Sequence, residues 1–571
     1  MAGINITIHK KLSKSVYNDV ESNGEFLYQS NGFYISAEIP YPHYPLNIWE
    51  NSEYVFITEG YFFEWIDYKN KCEGIADICF NNDVDLSELR QIFGDTDAEF
   101  VLFIKKKSDD RFIIVNDVLG RLPLYFSQSK ETWNITRNIL PLRDKIPLVL
   151  DQETAIDALV FGFTLGSETI YKNVTRIGGG TVIYRAEEKI CFDTYYQINY
   201  DEIKNNNWQW ESLPNLISLF VEGLINRIKF SDLNIVALSG GLDSRTVAAG
   251  FHHAGIDCRF ISFQDANGDA SKDLKVAEII AAVYQRHLEI YQLHSPTEFD
   301  FELLFEKKAG INSLDMSFVV PYLKYLAGLS GQSAMFTGDG GDKVFPDLTP
   351  PIPRPTISLL RNYVFYSNQK LPITVAKKIM RNENYSPSKK VFDLLQSYPE
   401  KTMSGKYIHF LMDNRVGNWL NEGEDRNRNF IISLTPFYNL RFYKALMSVP
   451  DRYKADFTLY RKFLELLAPA LANIDNANWG FPLTEKSKIS KVYLKEDMKR
   501  TRLGVLLKET LKKKKNYFKS LSETETNLFD KYAADQMTSA TFNLKYATSL
   551  KNFDTDNFYC LLTLMKVTTL S

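Results

Sequence analysis

The chain has 571 residues, 44% hydrophobic and 24% charged, with 67 Lys and Arg against 70 Asp and Glu for a net charge of −3. That length favours two or more domains, each large enough for its own core. The balanced charge gives no global basis for binding nucleic acid, and no apolar run is long enough to cross a bilayer or serve as a signal peptide, so a cytoplasmic protein without nucleic-acid or membrane partners is expected.

Residues 1 to 195 read as many short strands. Ile4–Ile8, Glu53–Ile57, Phe100–Ile104 and Arg111–Val115 are separated by Gly, Asn and Asp turn signals, and Asp85–Phe93 is the clearest helical stretch. Composition alone gives an α+β or all-β unit. The five cysteines (Cys72, Cys79, Cys191, Cys258, Cys560) are scattered without a C-x-x-C pair, and the seven histidines lack metal spacing. A disulfide framework and a zinc site are therefore not expected. Residues 196–212, with Asn205–Asn207 and two tryptophans, read as a linker.

From Leu213 the pattern turns helical and then alternates. Strands are expected at Asn234–Leu238, Asp257–Phe263, His287–Ile290 and Ser333–Phe336, with an amphipathic helix over Asp273–Ala282. Such alternation argues for a parallel sheet with helices on both faces, and ligands in such sheets bind beyond the carboxyl ends of the strands. At the first of these ends lies Ser239-Gly240-Gly241-Leu242-Asp243-Ser244, followed by a helix. Adjacent glycines let backbone N–H groups approach a ligand, and the helix start offers unpaired donors for phosphate. Asp243 is out of place in a bare phosphate cradle, unless a hard cation such as Mg²⁺ stands between carboxylate and phosphate. The plainer reading is a βα turn in which Ser and Asp cap the helix.

At the fourth strand end lies Thr337-Gly338-Asp339-Gly340-Gly341-Asp342-Lys343, glycine-rich beyond what a plain loop needs. The Pro-rich Thr349–Pro355 reads as a stiff extended connector beside the same crevice. Farther on, Asp456–Leu464 reads as an amphipathic helix carrying Arg461 and Lys462, and the tail over 486–519 is basic, ending near Lys512–Lys515. Most such runs are solvated helix faces. Docking of an acidic peptide is the alternative for the tail.

These segments resemble the asparagine synthetase family and other N-type ATP pyrophosphatases. Ser239–Ser244 matches the family's pyrophosphate loop and lacks the Walker lysine. Thr337–Phe345 resembles its Ser-Gly-Glu-Gly-x-Asp-Glu motif. Asn116–Tyr125 resembles Arg-Asp-x-x-Gly-x-x-Pro-Leu-Tyr of its glutaminase domain, and Leu434–Arg441 and Asp456–Leu464 resemble later family segments. The resemblance implies an α/β protein. Residues 1–200 would form an Ntn-hydrolase-like α+β sandwich, glutaminase-like but degenerate. Residues 210–571 would form a doubly wound parallel-sheet ATP-pyrophosphatase domain, adenine nucleotide α-hydrolase-like, with a helical C-terminal part.

Carried over by position, ATP would be bound by Leu238, Ser239, Gly240, Gly241, Leu242, Asp243, Ser244, Ser262, Phe263 and Gly338. Asp243 and Asp342 would hold Mg²⁺, Asp339 would stand for the motif's Glu, and Arg461 or Lys462 would supply a catalytic cation; a solvated Arg–Lys pair is the alternative for these two. Ala2 stands where the family has its cysteine nucleophile, and a methyl group cannot attack an amide. Thr58-Glu59-Gly60 also departs from the family's Asn-Gly-Glu. Branches lacking that cysteine include β-lactam synthetases and lasso peptide cyclases. The expected reaction is adenylation of a carboxylate substrate followed by amine attack. The favoured substrate is a precursor peptide closed to a macrolactam, with a leader-binding protein or a protease as further partner. An asparagine-synthetase-like enzyme using free ammonia or amidating another small acid, and a non-catalytic scaffold with a vestigial nucleotide site, remain as alternatives.

Overall fold

The computed structural model describes residues 3–10, 25–30, 32–81, 84–186, 189–265, 268, 270–329, 332–346, 348, 355–499, 501–502, 504 and 516–570. Ala2, Lys512–Lys515 and nearly all of the Pro-rich stretch lie outside them. The protein is a mixed α/β structure with two antiparallel sheets, one parallel sheet and many helices.

The first half builds two six-stranded antiparallel sheets. One runs β10 (Val174–Ile177), β8 (Leu124–Gln128), β9 (Thr132–Thr136), β1 (Gly3–His9), β3 (Phe33–Glu38), β2 (Glu25–Ser30). The other runs β12 (Lys189–Thr194), β11 (Thr181–Ala186), β7 (Phe112–Asn116), β6 (Ala98–Lys106), β5 (Tyr54–Phe62), β4 (Leu46–Glu50). Ile4, Ile6 and Ile8 of β1 meet Ile57, Val101 and Phe103 of the second sheet in a shared core, so the sheets stack face to face. Phe56, Phe100 and Leu102 point to the other face, which α1 (Tyr68–Asn81) and α2 (Leu86–Phe93) cover with Ile75, Leu89 and Phe93. Alternating side-chain direction along each strand feeds both layers. The helix expected at Asp85–Phe93 forms with Asp85 as its cap, accepting from the Ser87 and Glu88 amides.

The parallel sheet runs β15 (Leu288–Gln292), β14 (Arg259–Gln264), β13 (Leu233–Ala237), β16 (Ser333–Phe336), β17 (Ile432–Leu434). Every pairing is parallel. Four of these strands were expected; β17 is too short to announce itself by periodicity. Helix α4 (Leu213–Ile228) and α5 (Leu242–His253) pack over β13 through Phe220, Val247 and Phe251.

The 196–212 segment is bonded into the fold. Tyr200 and Trp208 are buried, and the Tyr200 hydroxyl meets that of Tyr443 at 2.8 Å. Cores also cross the boundary: α3 (Gln152–Phe161) shares one with the far helix Thr555–Thr568. Beyond the sheet, a continuous helical column spans Met403–Asn427, its middle part Leu411–Leu420 wound as a π-helix. Such widened turns cluster at functional sites.

A buried ion network joins the column to the first half. Arg121 pairs with Glu99 and Glu424, Arg428 with Glu99 at 2.6 Å, Arg137 with Asp425, and Lys308 with Glu422 at 2.8 Å and Asp425 at 2.5 Å. Arg227 grips Asp97 with both terminal nitrogens, at 2.7 and 3.0 Å. Among the described residues, no helix is long and apolar enough to cross a membrane.

Candidate active site at the carboxyl ends of the parallel sheet

Strand β13 ends at Ala237, and the chain turns through Ser239–Gly241 into α5. The Ser239 amide donates to Ser244 Oγ at 3.0 Å, the two hydroxyls lie 2.8 Å apart, and the Gly241 amide donates to Ser239 Oγ at 3.2 Å. Gly241 is the N-cap, with no side-chain cap bond to the helix. The plainer capping reading therefore fails here: the first turn of α5 keeps donors that a Ser or Asp cap would have satisfied.

The glycines act differently from the expectation that both serve ligand approach. A Cβ at Gly240 would stand 2.8 Å from Ala477 Cβ and from the Asp273 carbonyl, so Gly240 is required by packing, away from the cavity. Arg245 reinforces that contact, donating to the carbonyls of Gly240, Leu471, Ile474 and Asp475. At the second loop, a Cβ at Gly338 would lie 2.4 Å from the Ser244 nitrogen, and one at Gly341 would lie 2.6 Å from Asp243 Cγ. Gly340 (φ +87°) would drive a Cβ into the Tyr438 hydroxyl. These glycines let two loops from different strands touch.

The contact brings Asp243 and Asp342 together. The Asp342 amide donates to Asp243 Oδ2 at 3.2 Å, and the Tyr460 hydroxyl donates to Oδ1 at 2.7 Å. Burial, then the neighbouring Asp342 charge, pushes the Asp243 carboxyl up to about 7. Asp342 is half exposed and pairs with Lys343. Burial also raises Asp339, while the Arg426 and Arg121 charges pull it down. Two acids meeting at the cavity, Asp243 partly and Asp342 half exposed, favour a cation between them.

A cavity of about 510 Å³ opens over these loops. Of the expected residues, Ser239, Gly241, Leu242, Asp243, Ser244, Phe263, Gly338, Asp339 and Asp342 line it. Leu238, Gly240 and Ser262 do not: Leu238 is buried in the core and Ser262 is buried within β14, paired with Ile290. Arg461 and Lys462 also stand off the cavity. Both turn to Glu465, at 2.8 and 3.4 Å, because they leave the helix Thr458–Leu467 on flanks other than the one carrying Tyr460. The residue that reaches the site is Tyr460, immediately before the pair.

Sequence reasoning also missed Arg426 and Asn427 from the helical column, Tyr322 and Leu323 beneath Phe263, and the wall formed by Phe457 and Trp479. Asp456 and Phe457 are both left-handed (φ 53°), a strain of roughly 1–2 kcal/mol per residue that sets the direction of Phe457. No sequence periodicity signals such a kink.

Among the described residues, no group of three or more His, Cys, Asp or Glu side chains stands where it could hold a metal by itself. Two carboxylates with vacant amide donors nearby fit a hard cation whose other ligands are phosphate oxygens and water.

The corresponding region of the first half is filled. Glu59 accepts from the Ile4 amide at 2.9 Å, the Tyr44 hydroxyl at 2.5 Å and Arg137 Nε at 2.9 Å. A Cβ at Gly3 would sit 2.5 Å from Arg137 Cβ. What remains nearby is a void of about 10 Å³, lined by residues such as Tyr44, Tyr61 and Ser433, room for about one water.

No protein-family model matches the chain, and no curated protein matches it in sequence. Among the solved structures that resemble it loosely are two enzymes of low identity. One is the glutamine phosphoribosylpyrophosphate amidotransferase from B. subtilis complexed with ADP and GMP, at 8% identity and a TM-score of 0.19, covering 55% of this chain and 63% of that one. The other, the allosteric regulatory enzyme of purine biosynthesis, shows 10% identity and a TM-score of 0.22 over 52% of this chain and 76% of that one. The chain thus spans a little under two thirds of the length of the first.

Proposed function

We propose that the chain is an ATP-dependent amide-bond synthetase that forms AMP and pyrophosphate. The observation that carries this reading is the contact between Asp243 and Asp342 beside an uncapped helix start, at the floor of a cavity beyond a parallel sheet. The asparagine-synthetase-like motifs supply the reaction class. A carboxylate oxygen of the substrate attacks the α-phosphorus of ATP, and pyrophosphate leaves. An amine nitrogen then attacks the acyl carbon, AMP leaves, and the amine loses a proton.

This chain's residues hold the parts. Donors at the start of α5 and the Ser239 turn bind the β,γ-phosphates, which keeps the leaving group in line. Asp243 and Asp342 would hold Mg²⁺, which when bound offsets charge on the phosphates. Tyr460 fixes one oxygen of Asp243. Phe263 and Tyr322 give an apolar wall suited to a base.

The filled pocket at Glu59 and Arg137 supports an amine that arrives with the substrate. Ammonia made in the first half would need space that the Glu59 cluster occupies. On the resemblance to branches without the cysteine we favour closure of a lactam within one molecule, a peptide macrolactam of the lasso peptide cyclase type; the assay that follows separates this from use of free ammonia. The test is pyrophosphate release from ATP and magnesium on adding candidate carboxylates, including peptides bearing both an acid side chain and a free amine. Asp243→Ala should abolish release while the far-ultraviolet circular dichroism spectrum is unchanged. Undiminished release from that variant overturns the assignment, and asparagine formation from aspartate and ammonia overturns the lactam reading.

A further inference from the structure

Arg426 stands apart from the other buried arginines. Arg121, Arg137, Arg227 and Arg428 are each held by a carboxylate. Arg245 is buried too, but it is held by backbone carbonyls and does not face the cavity. Arg426 is 6% exposed and lines the cavity, yet no Asp or Glu oxygen among the described residues lies within ion-pairing distance of it. Its partners are two amide oxygens. Nε and Nη2 donate to Asn427 Oδ1 at 3.2 and 2.9 Å, and Nη1 donates to Asn312 Oδ1 at 3.1 Å.

A guanidinium carries five donors, and these bonds use three. One N–H on each terminal nitrogen is left over for a ligand in the cavity that Arg426 lines. A buried charge hydrogen-bonded only to neutral amides, with Asp339 and Asp315 acting on it through space and not in direct contact, is costly unless a ligand completes it. Among the described residues the charged groups of the cavity wall are otherwise acidic, Asp243, Asp339 and Asp342, with no other Lys or Arg. Apart from the backbone donors at the start of α5, Arg426 is the group on this wall, among the described residues, that attracts a carboxylate by charge.

We propose that Arg426 is the anion-binding residue that seats the carboxylate of the acyl substrate, its plane fixed by Asn312 and Asn427. This rests on the adenylation reading and deepens it by naming where the activated acid is held. Arg426 neither takes nor gives a proton; it holds the carboxylate while one of its oxygens attacks phosphorus. The nearest acids, Asp339 and Asp315, are the groups whose charge it feels, and burial lowers its pKa only to about 10, so it stays charged at neutral pH.

Two experiments test this. The first measures pyrophosphate release with a panel of amino acids, simple dicarboxylates and peptides as carboxylate probes, alongside calorimetric affinity for a non-hydrolysable ATP analogue. Arg426→Gln should raise the carboxylate KM about tenfold or more, the loss of a charged hydrogen-bonded pair, with analogue affinity changed less than twofold. Arg426→Lys should recover part of the loss. Asn427→Leu, which leaves the charge in place but unfixed, should show a smaller rise in KM should the Gln variant not fold. An unchanged carboxylate KM overturns the proposal. So does a fall in analogue affinity larger than the change in KM, which would make Arg426 a phosphate ligand.

The second experiment soaks crystals in sodium bromide and seeks anomalous signal at the guanidinium. A peak present in the wild type and absent in Arg426→Gln supports the anion site. No peak, or the same peak in both, overturns it. A wild-type protein that releases no pyrophosphate with any carboxylate but binds bromide at Arg426 fails the adenylation reading and keeps the anion site.

Discussion

Each half of the molecule sets a carboxylate among packed side chains, Glu59 buried and Asp243 partly exposed at the cavity, and they treat it in opposite ways. Glu59 in the first half is saturated, bonded to an amide, a phenol and a guanidinium. Asp243 in the second half receives a phenol and one amide, and then faces another acid. The first arrangement is electrically closed and has nothing left to offer a ligand. The second is incomplete, and incompleteness of this kind marks a working site more reliably than burial or charge alone.

The strongest way to break that contrast is at the open end. Asp342→Asn should lower pyrophosphate release by about a hundredfold or more, as removal of a charge-stabilising group typically does; a mild effect would mean that the acid pair is structural. Next in size is the closed end. Arg137→Met strands Glu59 without its cation and leaves Asp425 only Lys308, and should cost about 3–5 kcal/mol in denaturant unfolding, with release per folded molecule unchanged. Equal loss of activity there would show that the halves are one catalytic unit.

A third experiment uses pH. The Asp243 carboxyl is raised in the fold to about 7, so the folded protein holds a proton that the unfolded chain gives up near 4. The cost of ionising it is absent below about 4 and accumulates as pH rises towards 7. Without magnesium, Asp243→Asn should therefore gain thermal stability relative to the wild type at pH 8 and show no gain at pH 4. Magnesium with ADP should stabilise the wild type more at pH 8 than at pH 5. A gain that is independent of pH would remove the acid pair as its source. The smallest effect expected is for Lys462→Ala, a half-exposed lysine shared with Glu465: stability within about 0.5 kcal/mol and release unchanged. A large loss would return the catalytic cation to that helix.

Much of this was legible in the sequence. Strands β13, β14 and β16 and the two glycine-acid loops follow from apolar runs that stop at Gly-rich turns, a local signal. The strands around Phe100–Val115 show themselves in the same way, as apolar runs bounded by Gly, Asn and Asp turn signals. What was hidden depends on packing over long sequence distances. Tyr460 could be told from Arg461 and Lys462 only by the rotation of one helix against α5, and one residue of helical phase decides which side chain reaches Asp243. Arg426 looks like any other charge in Glu422–Arg428, a stretch that reads as solvated yet forms the buried seam. Strand β17 has three residues, too few for a period to register.

The contact between α3 and the helix Thr555–Thr568 has a consequence for synthesis. Cys560 Sγ reaches the carbonyl of Ala158 across 402 positions of chain. While the ribosome is still making the middle of the protein, the apolar flank of α3 has no lasting cover. Contacts this distant form slowly, and the waiting surface invites association with other nascent chains. Expression should thus depend on chaperone supply, and a stop codon placed before Thr555 should yield aggregate rather than a smaller folded protein.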